Sequence, residues 1–235
     1  MAARMEQKQK ELYQAHAQRL ALMLQNQTEE EFADSRFQVL SELTRLRQLC
    51  CDPALVYENY EGGSAKLDLC IELIQSAVES GHKILLFSQF TSMIEILTAR
   101  LQEESISYFV LQGSTKKEQR AQMVEQFNRD DTSVFCISLK AGGTGLNLTG
   151  ADIVIHYDPW WNVAVENQAT DRAHRIGQKN VVTVYKLIAK GTIEEKIIKL
   201  QQMKKELAEE ILAGDEIKTA SFQREELLAL LEDRF

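Results

Sequence analysis

The spacing of apolar positions along this chain changes character twice. From Met5 to Gln27 they recur at helical intervals among Gln, Lys and Ala with no breaker, which predicts a long amphipathic helix. Ser35-x-x-Gln38 has the form of a capping box beside Phe37, Val39, Leu40, Leu43, Leu46 and Leu49, and predicts a second helix stopping near Asp52-Pro53. Glu61-Gly62-Gly63-Ser64 reads as a linker, with Ser64 capping a helix that runs to about Ser80-Gly81. The pattern then shifts to short β-branched or aromatic runs at Lys83–Phe87, Tyr108–Leu111, Val134–Ile137, Asp152–His156 and Val181–Leu187. Such runs predict strands buried on both faces, as in parallel sheets. Helical patterns over Thr91–Glu104 and over Lys116–Asn128, the latter opened by Thr115-x-x-Glu118, separate the first three runs. This alternation implies right-handed βαβ units and a three-layer α/β/α domain. The helical period returns at Thr192-x-x-Glu195, for a helix reaching about Leu212 and ended by Ala213-Gly214, with a short helix over Phe222–Leu231.

Composition narrows the class. With 235 residues, 44% apolar, 26% charged and two prolines, the chain suits one large or two small globular domains and excludes low-complexity or disordered readings. No apolar run approaches the ~18 residues of a membrane span, and the polar stretch Met1–Lys10 does not resemble a signal peptide. Cys50, Cys51, Cys70 and Cys136 lack metal-ligand spacing and the density of a disulfide scaffold, so they read as buried free thiols in a reducing compartment. The net charge of −8 argues against a broad cationic field for nucleic acid. Residues 81–190, however, carry 12 basic and 11 acidic side chains, so the acidity belongs to the flanks. A polyanion would meet local cations in the middle segment.

Function in open α/β sheets collects where loops leave the carboxyl ends of strands. Leu139-Lys-Ala-Gly-Gly-Thr-Gly-Leu-Asn-Leu148 follows one strand, and its glycines allow either a tight turn or close approach of backbone amides to a phosphate. No Lys-Ser or Lys-Thr follows the last glycine, so it is not a Walker loop. Tyr157-Asp-Pro-Trp-Trp-Asn162 follows another. Adjacent indoles at a strand end point different ways, so one enters a core while the other packs elsewhere or meets nucleic acid. A helix is expected from about Val163 to Arg175, which would set Gln168, Arg172 and Arg175 on one stripe. That cluster suits either a salt-bridge network or a phosphate site.

Taken together these segments resemble the Swi/Snf-type helicase-like ATPases, specifically the C-terminal RecA-like lobe. The resemblance rests on Lys83-Ile-Leu-Leu-Phe-Ser-Gln-Phe90, Leu111-Gln-Gly-Ser-Thr115, Ser138–Asn147, Asp158-Pro-Trp-Trp-Asn162 and Asp171-Arg-Ala-His-Arg-Ile-Gly-Gln178, in that order. Met5–Tyr13 and Leu46–Pro53 resemble the lead-in helices of that family, and Thr192–Lys196 the start of its trailing brace. Val163 stands where the family commonly has proline. The division expected is a helical lead-in over 1–63, the lobe over 64–190 and brace helices over 191–235.

The resemblance implies an ATP-dependent translocase on double-stranded DNA that remodels protein–DNA complexes. It implies Arg175 with Arg172 as arginine fingers, and Gln168, Gly145 and Asn147 near the nucleotide. It also implies Ser88, Gln89, Ser114, Thr115, Lys140 and Trp160 or Trp161 on DNA, mostly at the backbone. No metal ligands are assigned to this chain. The segment has no Gly-x-x-x-x-Gly-Lys-Ser/Thr and no Asp-Glu-x-His box, so ATP and Mg²⁺ would be held mainly by an N-terminal lobe, and the chain alone is expected to be inactive. Its expected partners are that lobe and duplex DNA, in the nucleoid of a bacterium or the nucleus of a eukaryote, with no membrane. The rival reading is a non-catalytic RecA-like module or part of a degenerate motor.

Overall fold

The computed structural model describes residues 1–139, 141, 146–173, 181–210 and 224–231. Strand β1 (Ala2–Ala3) leads into helices α1 (Gln7–Gln25) and α2 (Glu29–Cys51). Helix α3 (Ala65–Glu79) precedes β2 (Ile84–Ser88), and α4 (Thr91–Glu103), β3 (Tyr108–Leu111), α5 (Lys117–Phe127) and β4 (Val134–Ser138) follow. Then come β5 (Ile153–His156), α6 (Val163–Thr170), β6 (Thr183–Lys186), β7 (Ile188–Ala189), α7 (Ile193–Glu210) and α8 (Arg224–Leu231).

Five strands form one sheet in the order β3-β4-β2-β5-β6, and every pairing is parallel. The α/β class and the parallel sheet expected from the apolar runs are therefore present. Alternation along the inner strands β4, β2 and β5 makes two buried faces. The edge strands β3 and β6, expected to be buried on both faces, are mostly half-buried or exposed because each has a neighbour on one side only. Ile84, Leu86, Val134, Cys136, Ile153 and Ile155 face Cys70, Ile74, Met93, Leu97 and Leu101 of α3 and α4. Leu85, Phe87, Phe135, Ile137 and Val154 face Phe127 of α5 and Ala169 of α6. Helices on both faces explain why the strands read as continuous apolar runs. A third cluster joins the two ends of the chain: Leu20, Leu24, Leu43 and Leu46 of α1 and α2 pack with Ile193, Ile197, Leu227 and Leu230 of α7 and α8.

Several helix starts differ from expectation. Helix α2 begins six residues before Ser35, because Thr28 supplies the capping box: its Oγ1 accepts from Glu31 N while Glu31 Oε2 accepts from Thr28 N. Ser35 lies inside the helix and donates to Gln27 Oε1 and Phe32 O. Thr115 does not cap α5; its Oγ1 accepts from Gln112 N and closes the turn after β3. Thr192 does open α7, but through Glu194 N, while Glu195 accepts from Gly191 N. Ser64 caps α3 as expected, accepting from Leu67 N and donating to Cys51 O. All four cysteines are buried free thiols. The expected stop at Ala213-Gly214 lies outside the described residues.

Candidate functional site

Parallel pairing places the carboxyl ends of β2, β3, β4 and β5 at one edge of the sheet. The segments singled out in the sequence leave from that edge: Ser88-Gln89 after β2, Ser114-Thr115 after β3, the glycine loop after β4 and Asp158–Asn162 after β5. Their convergence follows from topology alone.

The hub of this edge is Asp158, which is almost fully buried. One carboxylate oxygen accepts from Ser88 Oγ at 2.6 Å, and both lie 3.3 Å from Gln89 N. Arg47 Nη2 stands 4.0 Å from the second oxygen. Burial raises the Asp158 pKa above the usual carboxylate range, against the opposing pull of Arg47 and Ser88. Ser88 is itself fully buried and also accepts from Phe90 N. Its hydroxyl ties the β2 loop to the β5 loop and is not presented at the surface.

Trp160 and Trp161 diverge. Both are half-buried; Trp160 packs against the sheet-face cluster of Leu85, Phe87 and Phe135, and Trp161 against the terminal helical cluster. The Arg47 guanidinium lies between them, its carbon 5.9 Å from the Trp160 ring, 5.6 Å from Trp161 and 5.8 Å from Phe90. Those distances suit cation–π attraction in a desolvated setting. The loop backbone is held as well. Pro159 O accepts from Arg47 Nη2 at 2.5 Å, Trp160 N donates to Glu166 Oε1 at 2.6 Å, and Trp160 O accepts from Gln201 Nε2. Glu166 also pairs with Lys186 of β6 at 2.5 Å.

The other predicted residues are less closely gathered. Ser114 is exposed and Thr115 half-buried in the turn after β3, where Arg120 donates to the carbonyls of Gln112, Gly113, Thr115 and Ala141. That fan of bonds docks the β3 turn on the start of the β4 loop. Asn147 is exposed, and its carbonyl accepts from Asn128 Nδ2 at 2.8 Å. Lys140, Gly145 and Arg175 lie outside the described residues.

The expected helix through Arg175 is not formed as such: α6 ends at Thr170, with Asp171 as its C-cap. Gln168 and Arg172 therefore do not share a helical stripe. Gln168 is exposed on α6, whereas Arg172 is 3% exposed in the turn beyond it, with its carbonyl accepting from Leu148 N at 3.1 Å. That bond brings the α6 turn against the end of the glycine loop.

Among the described members of this set, Gln168 and Asn147 are exposed amides able to donate to phosphate oxygens, whereas Arg172 is buried. Among the described residues no group of three or more His, Cys, Asp or Glu is placed to hold a metal ion. No helix among the described residues is long and apolar enough to cross a membrane.

Sequence reasoning missed Arg47, Glu166 and Gln201. A signal for Arg47 existed: Leu43, Leu46, Arg47 and Cys50 are spaced as one apolar helical stripe, and all four are buried. A cation on such a stripe needs a partner, and Pro159 O provides it.

The five-stranded parallel sheet between helices, with its loops gathered at one carboxyl edge, matches a RecA-like C-terminal lobe. The profile of the helicase conserved C-terminal domain matches residues 65–177. The C-terminal domain of the Sulfolobus solfataricus SWI2/SNF2 ATPase is 31% identical, superposes with a TM-score of 0.73, and matches over 92% of this chain and 89% of that one. The core of the same ATPase in complex with dsDNA is 32% identical with a TM-score of 0.75, over 90% of this chain and 45% of that one. An uncharacterized ATP-dependent helicase of Mycoplasma pneumoniae is 45% identical over 84% of this chain and 19% of its own length. The chain belongs to the Swi2/Snf2 family and is its C-terminal helicase lobe. It spans about a fifth of the first curated relatives it matches.

Proposed function

We propose that this lobe is the trailing half of an ATP-driven translocase on duplex DNA. The observation that carries the reading is the single carboxyl edge, where the loops after β2, β3, β4 and β5 meet, on a lobe of this family. Gln89, Ser114, Thr115, Lys140 and the tryptophan pair would bear on DNA from that edge. Ser88, enclosed with Asp158, acts by joining two of its loops. Contacts of this type position a duplex and do not read its sequence.

Gln168, Asn147 and Gly145 would serve a nucleotide held by the N-terminal lobe, and Gln168 and Asn147 are exposed for that role. In this reading Arg175 would be the finger that answers charge developing on the transferred phosphoryl group, with Arg172 in support. ATP, with Mg²⁺, supplies the phosphoryl-transfer chemistry when bound between the lobes. Buried Arg172 lies in the turn after α6, and that turn rests on the end of the glycine loop through Leu148.

The test joins this chain to its N-terminal lobe and measures duplex-stimulated ATP hydrolysis. Arg175→Ala is expected to lower turnover by orders of magnitude with little change in nucleotide affinity, and Arg175→Lys is expected not to restore it, because an ammonium lacks the planar fork. Near-normal turnover in folded Arg175→Ala protein would remove the finger assignment.

A further inference from the structure

Three successive backbone groups after β5 are taken by side chains from three helices: Pro159 O by Arg47 of α2, Trp160 N by Glu166 of α6, and Trp160 O by Gln201 of α7. Glu166 is a local partner, six residues from Trp160. Arg47 and Gln201 are not, being 112 and 41 residues away from the carbonyls they hold. They come from opposite ends of the chain, on helices whose apolar faces form one cluster around Leu46, Ile193 and Ile197. Trp161 packs into that same cluster while Trp160 packs on the sheet. The loop therefore straddles two bodies, the terminal helices and the sheet, and Arg47 touches both indoles.

We propose that Arg47 and Gln201 are positioning residues through which the terminal helices set the orientation of the Trp160–Trp161 loop. Both donors are at least nine-tenths buried, and Pro159 is buried with Arg47, so its carbonyl left unmet would be costly. Trp160 is half-buried. A displacement of α2 or α7 must then either drag the loop or break these bonds. Anchoring Trp160 to the sheet needs only Glu166. The convergence of both chain ends on adjacent peptide groups instead makes the loop conformation depend on where the bundle sits. The functional half of this inference rests on the reading that the loop bears on DNA; the positioning half does not.

The chain contains two tryptophans, so Trp161→Phe leaves Trp160 as the sole indole fluorophore. In that background Arg47→Met and Gln201→Leu remove the donors while keeping most of the side-chain volume. Each is expected to move Trp160 emission to longer wavelength and raise acrylamide quenching severalfold, with far-UV circular dichroism and cooperative melting retained. Unchanged emission and quenching in folded variants would overturn the proposal. Should Arg47→Met fail to fold, Gln201→Leu decides by the same measurement. In the two-lobe motor the same substitutions are expected to reduce base pairs moved per ATP severalfold while hydrolysis continues. A shifted fluorescence with full coupling, in a motor that Trp160→Ala does uncouple, would overturn the functional half. A motor indifferent to Trp160→Ala would overturn the DNA-contact reading instead.

Discussion

The ammonium of Lys66 lies 2.6 and 2.8 Å from the two carboxylate oxygens of Glu194, an ion pair joining α3 to α7 with neither side chain exposed by more than 1%. Lys66 also stands 5.0 Å from the centre of the Tyr157 ring, and Tyr157 Oη donates to Cys51 O. Glu194 accepts in addition from Ala189 N at 2.7 Å. Burial works against the ammonium, but the hydrogen-bonded Glu194 carboxylate holds the Lys66 pKa above its ordinary value. The pair thus locks the first helix of the sheet domain to the trailing helices.

Removing one partner strands the other charge in the interior. Lys66→Met is expected to cost roughly 3–5 kcal/mol, read as a lowered urea midpoint. Adding Glu194→Leu in the same chain is expected to recover much of that loss, since the double variant leaves no unpaired charge. A double variant as unstable as the single one would show that packing, not charge, holds the junction.

His156 gives the stability a pH dependence. Burial depresses its pKa from 6.5 to about 4, and its ring stacks on Phe87 while Nε2 lies 3.0 Å from Thr170 Oγ1. Between those two values the unfolded chain binds a proton that the folded chain refuses, so stability falls as pH falls. The contribution is intact above pH 6.5, and the loss of about 3 kcal/mol is complete below pH 4. The difference in urea midpoints between wild type and His156→Gln, followed across this window, isolates the effect from the carboxylates.

The cysteines are expected to be inert in the native state. Burial pushes Cys136 up to about 12 and raises Cys50, Cys51 and Cys70 as well. Ellman's reagent should label them only as fast as the chain opens, and labelling should accelerate with urea. Rapid labelling of folded protein would contradict the burial of all four.

Thr28 and Ser35 offer a local comparison. Thr28→Ala breaks the capping box of α2 and is expected to cost about 1 kcal/mol. Ser35→Ala, inside the helix, should change the melting transition far less. Equal effects would place the helix start elsewhere.

With a charge of −8, the isolated lobe is expected to bind duplex DNA weakly, with affinity falling steeply as salt rises. Anisotropy titrations at several salt concentrations measure that slope. Tight binding that resists salt would require a cationic surface that the composition does not supply.

The strands were legible because each one carries its own signal. Ile84–Ser88, Val134–Ser138 and Ile153–His156 are buried on both faces, so every position except His156 is apolar or small whatever its neighbours, and the run announces itself. Their shared edge was legible too, since parallel strands must all end on the same side. Helix boundaries were less so: Ser35-x-x-Gln38 and Thr28-x-x-Glu31 have the same form, and the choice falls to the one whose side chains meet free amides at a true helix start. The end of α6 at Thr170 was likewise hidden, because a helical spacing of Gln168, Arg172 and Arg175 persists in sequence whether or not the backbone follows it.

What no local pattern could disclose is which distant side chain fills a given buried polar group. Arg47 with Pro159, Gln201 with Trp160 and Lys66 with Glu194 are separated by 112, 41 and 128 residues. Burial makes each of these groups need a partner, but the packing of the terminal helices on the sheet decides which one it gets. The amino-acid sequence determined the sheet, its order of segments and the family they resemble; the tertiary structure decided how the tryptophan loop is held, because hydrogen bonds to buried groups are assigned by proximity in space.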